Sequence, residues 1–205
     1  MLARSAPPAL DAALLRRELQ KSYARMALFP KRRYHLNTGR GLAELVGYPG
    51  EALSALPTAS VDAFSGAGRP LGLVEPREGD AVLDVGCGAG LDLLLAAGAV
   101  GASGRAVGID LTPEMVQVAR ASVRKAGLKN TTVEVGLAER LPYPDGTFDV
   151  VLSNNVINNC AFDKLAVLAE ARRVLKPGGA LAVADVVVAK PIPDEGRADI
   201  ALWTG

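Results

Sequence analysis

A run of glycines and two aspartates form the part of this sequence whose residue types and spacing could do chemistry. Asp84 is followed by Gly86, Gly88 and Gly90, and Asp110 comes later in the chain. Glycine lets the backbone turn tightly and approach a ligand closely. An acidic residue about 20 positions after such a loop can bind both hydroxyls of a ribose. The pattern predicts a nucleoside site, whereas an ordinary glycine turn would explain the loop alone but not Asp110.

The spacing of the glycines distinguishes between nucleoside ligands. A nicotinamide dinucleotide loop reads Gly-x-Gly-x-x-Gly, which would require glycine where this chain has Leu91. Gly-x-Gly-x-Gly with Asp84 before it instead resembles the loop of class I methyltransferases that use S-adenosylmethionine (SAM). SAM has no pyrophosphate, but its α-amino group needs carboxylate or carbonyl acceptors. The resemblance implies SAM as cofactor, with its three parts held by Asp84, Gly86, Gly88 and Gly90 (methionine), Asp110 (ribose), and Leu111, Ala138 and Glu139 (adenine).

The elements that would position these residues alternate between strand and helix after Asp80. Strands separated by helices must pair in parallel, because a parallel connection needs a crossover. The predicted fold is therefore α/β, a Rossmann-like three-layer sandwich with a mostly parallel sheet. Its ligand crevice lies beyond the carboxyl ends of the strands. The predicted strands are 81–85, 105–109, 132–135, 149–153 and 180–188, and the predicted helices are 91–99, 112–127 and 163–175.

The region before Asp80 lacks the alternation of strand and helix. Apolar residues recur at helical spacing between Asp11 and Met26, which predicts an amphipathic helix. Residues 29–79 are rich in proline, glycine and arginine, with short periodic pieces at 41–46 and 50–56. We expect residues 1–78 to form an N-terminal helix and cap region, and residues 79–205 to form the SAM-binding domain.

Further segments resemble the same family. Residues 141–149 resemble its LPFPDGSFD segment, and residues 173–179 match its RVLKPGG segment. Three others resemble arsenite methyltransferases more closely: residues 110–115 (DMTPEM in that family), 153–158 (SNCVIN) and 65–70 (SLGCGNP). The end of the chain, 201–205, resembles that family's ALYCG segment. The resemblance implies methyl transfer from SAM to a small acceptor.

Departures from the arsenite family lie at its thiol positions. Trivalent arsenic is thiophilic and is held there by cysteines, but Ala67, Asn155 and Thr204 stand at the three positions here. Cys160 lies five residues after Asn155 and is a single thiol. By resemblance the acceptor would be arsenite, whereas ligand chemistry favours an organic oxygen, nitrogen or carbon nucleophile. A SAM-binding module without turnover is the remaining alternative, and no metal site is expected.

The candidates for the acceptor site follow the fourth strand or lie in the cap. Asn154 and Asn155 follow that strand, at the edge of the sheet where the methyl group would be presented, and Cys160 comes shortly after them. The resemblance also implies Asn154 as a cofactor-binding residue. His35 is the only histidine, and it could act as a general base for an oxygen or nitrogen acceptor. A surface histidine and helix-capping asparagines are the alternative interpretations.

Composition limits the partners and the compartment. Lys and Arg number 23 against 22 Asp and Glu, so no positive field favours nucleic acid. Two cysteines and no apolar signal or spanning segment predict a cytoplasmic protein without a membrane partner. The family resemblance implies a helix and an antiparallel hairpin after the fifth strand, but only 17 residues follow Val188. We therefore expect that hairpin to be missing, with the exposed strand edge available for a homodimer.

Overall fold

A five-stranded parallel sheet forms the centre of the protein. The computed structural model describes residues 11–34, 37–160, 164–187, 189, 190, 193, 196, 199, 200 and 203. The strand order is β3-β2-β1-β4-β5, and every neighbouring pair is parallel. The order reverses between β1 and β4, which places the ligand crevice of such folds there. The strands are β1 (Ala81–Val85), β2 (Arg105–Asp110), β3 (Thr131–Val135), β4 (Phe148–Asn154) and β5 (Leu175–Ala184).

Helices cover both faces of the sheet, so the predicted three-layer α/β sandwich is confirmed. On one face, Val82 of β1 packs against α5; on the other, Leu83 and Val85 pack in a cluster with Val174 of α7. β1 is buried along its whole length, as a central parallel strand must be. The described helices are α1 (Ala12–Leu28), α2 (Gly39–Leu45), α3 (Gly50–Ala55), α4 (Thr58–Asp62), α5 (Leu91–Val100), α6 (Pro113–Lys125) and α7 (Lys164–Val174).

The last strand starts earlier than the sequence suggested. We expected the helix to reach Leu175 and the strand to begin at Ala180, but α7 ends at Val174 and β5 begins at Leu175. Leu175 pairs with Phe148, and regular pairing resumes at Ala180 with Val150 after an irregularity. The proline and glycines between them therefore form a bulge within a strand, where Gly178 adopts φ +81°.

The N-terminal helix lies against the sandwich as its apolar stripe predicts. Asp11 caps α1 by accepting hydrogen bonds from the amides of Ala13 and Leu14. The stripe residues Leu15 and Leu19 are buried, and α1 packs on α6. The boundary expected at residue 78 stays a prediction.

The structure tests the expected absence of a spanning helix and of a C-terminal hairpin only where it describes the chain. None of the helices in the described ranges is long and apolar enough to cross a bilayer. Most residues after 190, where a C-terminal hairpin would begin, lie outside the described part, so the expectation about that hairpin stays a prediction.

Candidate functional site

A cavity opens at the carboxyl ends of β1, β2 and β4, where the strand order reverses. It contains about 930 Å³ of space free of protein atoms, including its open mouth, and we call it the main cavity. Its walls also include one face of α1 and residues 136–139. Nine of the predicted site residues line it: Gly86, Gly88, Asp110, Leu111, Ala138, Glu139, Asn154, Asn155 and Cys160.

A smaller cavity adjoins it at the glycine loop. This side cavity contains about 370 Å³ and is lined by Asp84 and Asp92. Ser65, Gly86, Gly88 and Asn154 line both cavities, so the two cavities meet at the glycine loop and the end of β4. A ligand in the main cavity can therefore extend towards Asp84.

Each glycine of the loop has a different role. A Cβ on Gly86 would lie 2.2 Å from a methyl carbon of Val156, so the backbone there passes directly under that side chain. Gly88, at φ +52°, has no atom within 4 Å of a Cβ position and lines both cavities. Gly90, at φ +94°, is the N-cap residue of α5, and a Cβ on it would lie 3.3 Å from the Cβ of Ala119. It is not among the lining residues of either cavity. Gly88 is the position where a ligand can reach the backbone.

The carboxylate of Asp110 links two parts of the site. Its Oδ2 accepts a hydrogen bond from the amide of Gly88 at 2.8 Å, and its Oδ1 accepts one from the amide of Thr112 at 2.8 Å. Burial raises the pKa of this carboxyl, and hydrogen bonds from the two amides and from the Thr112 side chain oppose that rise. The two carboxylate oxygens together offer about four acceptor positions, and these donors use three of them. Asp110 can therefore accept a further hydrogen bond from a ligand hydroxyl in the main cavity.

Asp84 is buried with one oxygen unpartnered. Its Oδ2 has no hydrogen-bond partner among the described residues, although the backbone amide of Leu93 donates to the carboxylate. Burial raises its pKa well above the usual value, and the charges of Asp92 and Asp110 add to the rise. A buried carboxylate oxygen without a partner is costly. A cationic group at the side cavity would remove that cost.

The end of the main cavity near β3 is closed by α1. Gln20 donates a hydrogen bond to the carbonyl of Leu111 at 3.0 Å, and Arg16 forms an ion pair with Glu139 at 3.0 Å. Leu111, Ala138 and Glu139 all line the cavity at this end. The apolar stripe of α1 does not by itself indicate a place in the site, because simple packing on a core requires the same stripe.

Asn154 lines the cavities, but its side chain is fully engaged by protein. Its Oδ1 accepts from the amides of Ala67 (2.8 Å) and Gly68 (3.2 Å). Its Nδ2 donates to the Gly68 carbonyl (2.8 Å), Oδ2 of Asp92 (2.9 Å) and the hydroxyl of Tyr48 (3.2 Å). An amide has two hydrogens to donate, so no capacity remains for an acceptor molecule. Asn154 holds neighbouring segments in place.

Asn155 is the residue of this pair that faces the main cavity. It is the one non-glycine residue with positive φ (59°) in the described part of the chain. Its side-chain Nδ2 donates to the carbonyl of Ser65 at 3.0 Å, and its backbone amide donates to the carbonyl of Ala184 of β5 at 2.8 Å. Asparagine tolerates this left-handed conformation better than most residues. The side-chain amide of Asn155 and the backbone of Ser65 thus form one wall of the main cavity.

Tyr23 of α1 is a lining residue that the sequence did not reveal. Its hydroxyl accepts a hydrogen bond from Asn159 at 3.0 Å. Within the described part of the chain, the hydroxyl has no acceptor for its own hydrogen. Burial raises its pKa to about 12, with a further contribution from the charge of Asp110. Tyr23 therefore remains a neutral hydrogen-bond donor at physiological pH.

The remaining candidates differ in their accessibility. Cys160 lines the main cavity, and burial raises the pKa of its thiol to about 12, so the thiol is protonated at neutral pH. Cys87 belongs to the glycine loop, and its buried side chain packs in an apolar cluster with Leu93 and Leu94 of α5. His35 and Thr204 lie outside the described residues.

Comparisons with known proteins agree with this geometry. A family model described as a methyltransferase domain matches residues 76–204. An arsenite methyltransferase from Halobacterium salinarum is 38% identical over 163 residues, which are 80% of this chain and 41% of that protein. An arsenic(III) S-adenosylmethionine methyltransferase from Chlamydomonas reinhardtii superposes with a TM-score of 0.67 at 38% identity, over 74% of this chain and 53% of that one.

A third structure is matched over most of its own length. A SAM-dependent methyltransferase from Aquifex aeolicus superposes with a TM-score of 0.54 at 30% identity, over 76% of this chain and 78% of that one. By contrast, the chain spans about two fifths of the length of the curated arsenite methyltransferases it matches (41% and 40%). The family model and these structures, together with the sheet order and the loop between β1 and α5, show that the chain belongs to the methyltransferase domain family, as a class I, SAM-dependent member.

Proposed function

We propose that this protein transfers the methyl group of SAM to a small-molecule acceptor bound beside Asn155 and Tyr23. The observation that carries the proposal is the carboxylate of Asp110, which is fixed to the glycine loop through Gly88 and keeps acceptor capacity for a further donor. That arrangement suits a hydroxyl of a ribose. The orphaned oxygen of Asp84 suits the α-amino group of the same cofactor.

The residues present fit the rest of SAM. The open space over Gly88 lets the cofactor lie against the backbone, and a side chain there would occupy that space. Leu111 and Ala138 offer apolar contact to the adenine, and the ion pair of Glu139 with Arg16 closes that end. When bound, SAM supplies an electrophilic methyl group on a good leaving group. The protein's own task is therefore to orient the two reactants and exclude water.

The identity of the acceptor is a separate proposal. The relatives' names include arsenite methyltransferases, which makes arsenite the first acceptor to test. Three thiolates are the ligands that trivalent arsenic prefers. In this chain Ala67 and Asn155 stand at two of the three expected thiol positions, and Cys160 is protonated at neutral pH.

An organic acceptor is the second candidate function. The wall beside Asn155 presents an amide, a backbone carbonyl and the neutral hydroxyl of Tyr23, which are hard hydrogen-bonding groups. Such groups suit an oxygen or nitrogen nucleophile. The balanced charge of the chain supports a small acceptor over nucleic acid, and the expected homodimer stays a prediction.

Transfer of a radiolabelled methyl group from SAM tests both candidates. The purified chain is incubated with labelled SAM and either arsenite plus excess thiol or the small-molecule fraction of a cell extract. We expect label in a product of the extract and less label with arsenite. Asp110→Ala serves as the inactive control. SAM binding without label in either product would support the alternative of a binding module, and no SAM binding would refute the proposed function.

A further inference from the structure

A buried polar cluster connects three distant parts of the chain beside the cavities. It consists of Tyr48 after α2, Asp92 in the first turn of α5, and Asn154 at the end of β4; we call it the polar clamp. Tyr48 donates to Oδ1 of Asp92 at 2.6 Å, and Asn154 donates to Oδ2 at 2.9 Å. Asn154 also binds both the amide and the carbonyl of Gly68. Both carboxylate oxygens and the whole amide are thereby used within the protein.

The clamp lies in a place where an apolar cluster would serve stability equally well. Tyr48 is 3% exposed and Asp92 is 5% exposed. A buried carboxylate is costly to desolvate, and replacing such groups by apolar residues often leaves stability unchanged or higher. What an apolar cluster cannot do is fix the direction of neighbouring backbone groups. The polar clamp does so through the amides of Ala67 and Gly68.

The backbone that the clamp holds leads directly to the acceptor wall. Residues 65–68 cross the end of β4, and the carbonyl of Ser65 accepts the side-chain hydrogen bond of Asn155 at 3.0 Å. Gly66 has no room for a side chain, because a Cβ would lie 2.5 Å from Nδ2 of Asn154. A displaced clamp would therefore shift Ser65, and with it the amide of Asn155 in the main cavity.

From these linked contacts we propose that Tyr48 and Asp92 are positioning residues for the methyl acceptor. They hold residues 65–68 so that Ser65 and Asn155 keep the wall against which the acceptor is oriented. The acceptor part of this inference rests on the proposed function; the fixing of the loop does not. Tyr48 lines neither cavity, so it acts through Asn154 and through the carbonyl of Gly68, which its hydroxyl also contacts at 3.1 Å, and not by contact with a ligand.

Tyr48→Phe is the sharpest variant because it removes a single hydroxyl. Asp92 is less suitable, since its charge also raises the pKa of Asp84. The chain offers a matched control in Tyr143→Phe. Both tyrosine rings pack edge-on against a phenylalanine at 5.2 Å, but the buried hydroxyl of Tyr143 has no partner among the described residues. Both variants keep the ring packing, and only Tyr48→Phe breaks the clamp.

Hydrogen exchange, SAM affinity and methyl transfer are then measured on both variants of the full chain. In Tyr48→Phe we expect the amides of Ala67 and Gly68 to exchange about tenfold faster or more, in line with the loss of one charge-assisted hydrogen bond. We expect SAM affinity to change by less than about threefold and the rate of transfer into the extract's small molecules to fall about tenfold. Tyr143→Phe should leave all three readouts within about twofold.

Each contrary result would overturn a different part of the proposal. Unchanged exchange at Ala67 and Gly68 would overturn the clamp itself, whether or not the protein is a methyltransferase. Faster exchange with unchanged transfer would overturn the positioning role. A loss of SAM affinity as large as the loss of transfer would show that the hydroxyl only stabilises the fold. Failure of the unmodified chain to bind SAM would refute the proposed function, and the exchange result would still decide whether the clamp holds the loop.

Discussion

The backbone amide of Gly88 donates a hydrogen bond to Oδ2 of Asp110 across 2.8 Å, so the loop after β1 is fixed to the end of β2. This bond brings the position with open space above its backbone next to a carboxylate with a free acceptor position. The two residues therefore act as one unit towards a ligand. The predictions that follow separate this ligand-binding role from the stability of the fold.

Replacing Gly88 by alanine should abolish SAM binding without unfolding the protein. The new methyl group would meet no protein atom, but it would lie in the space proposed for the cofactor. The φ of +52° should cost about 1–2 kcal/mol of stability for a non-glycine residue. Gly127→Ala is the control, because Gly127 has φ +69° and equally open surroundings after α6. Thermal unfolding and calorimetric SAM titration should show similar destabilisation in both variants and lost binding only in Gly88→Ala; normal binding in Gly88→Ala would contradict the site.

SAM affinity should fall as the pH is lowered. Burial, together with the charges of Asp92 and Asp110, raises the pKa of Asp84, so this carboxyl takes up a proton at a higher pH than usual. The ammonium group of SAM needs the ionised form, so binding weakens through that pH range and reaches a plateau above it. Asp84→Asn should bind SAM weakly, with a flatter pH profile.

The stability of the free protein should change in the opposite direction over the same range. A carboxyl whose pKa is raised by folding binds more protons in the folded state, so its contribution to stability rises as the pH falls. Asp84, Asp92 and Asp110 all have raised pKa values. Calorimetric titrations and urea unfolding over a pH series measure the two effects. Affinity and stability changing with pH in the same direction would count against the proposed role of Asp84.

Arg173 should stabilise the domain without affecting ligand contacts directly. Its guanidinium donates to the carbonyls of Leu141 (2.9 Å) and Tyr143 (2.7 Å) and to Glu170 (2.6 and 2.8 Å). Arg173→Ala should lower the free energy of unfolding by about 2–4 kcal/mol, because these partners lose a charged donor. The exposed neighbour Arg172 is the control, and Arg172→Ala should change the free energy by less than about 0.5 kcal/mol. Urea unfolding checks both values. Equal losses of unfolding free energy in the two variants would show that the hydrogen bonds of Arg173 do not stabilise the domain.

Cys160 should react slowly with iodoacetamide at neutral pH. Burial raises its pKa to about 12, so the reactive thiolate is scarce. We expect modification at least about a hundredfold slower than that of a free cysteine, with both cysteines reacting normally in urea. Mass spectrometry of the intact chain gives the rates. Rapid labelling of Cys160 would indicate a thiolate in the cavity and would strengthen the case for a thiophilic acceptor.

The parts of the site that the sequence predicted are local in the chain. Asp84 lies near the end of β1, Gly86 and Gly88 follow that strand directly, and Asp110 ends the next strand. Alternation of strand and helix therefore suffices to bring them to one edge of the sheet. The α/β fold and the parallel sheet followed from the same alternation and are confirmed. The predicted start of β5 was wrong by five residues. A proline and two glycines usually end a helix or strand, whereas here they form a bulge within the strand.

The parts that the sequence did not predict depend on contacts across the chain. Tyr23 lies in an apolar stripe that packing alone would explain, and only the fold brings it to Asn159. Tyr48 and Asp92 are 44 residues apart and carry no local signal of their contact. Asn154 was expected to face an acceptor, but partners on three other segments use all of its hydrogen bonds. Such long-range pairings become visible only when the layers are assembled.

Calorimetric titration with S-adenosylhomocysteine and its 2′-deoxy analogue measures how much one ribose hydroxyl contributes to binding at Asp110. If the carboxylate of Asp110 binds the ribose hydroxyls, removing one hydroxyl should weaken binding to the unmodified chain about tenfold or more. The same removal should cost Asp110→Asn much less, because the charged acceptor is already absent. Equal affinity of the unmodified chain for the two ligands, or an equal loss in both proteins, would show that Asp110 does not bind the ribose.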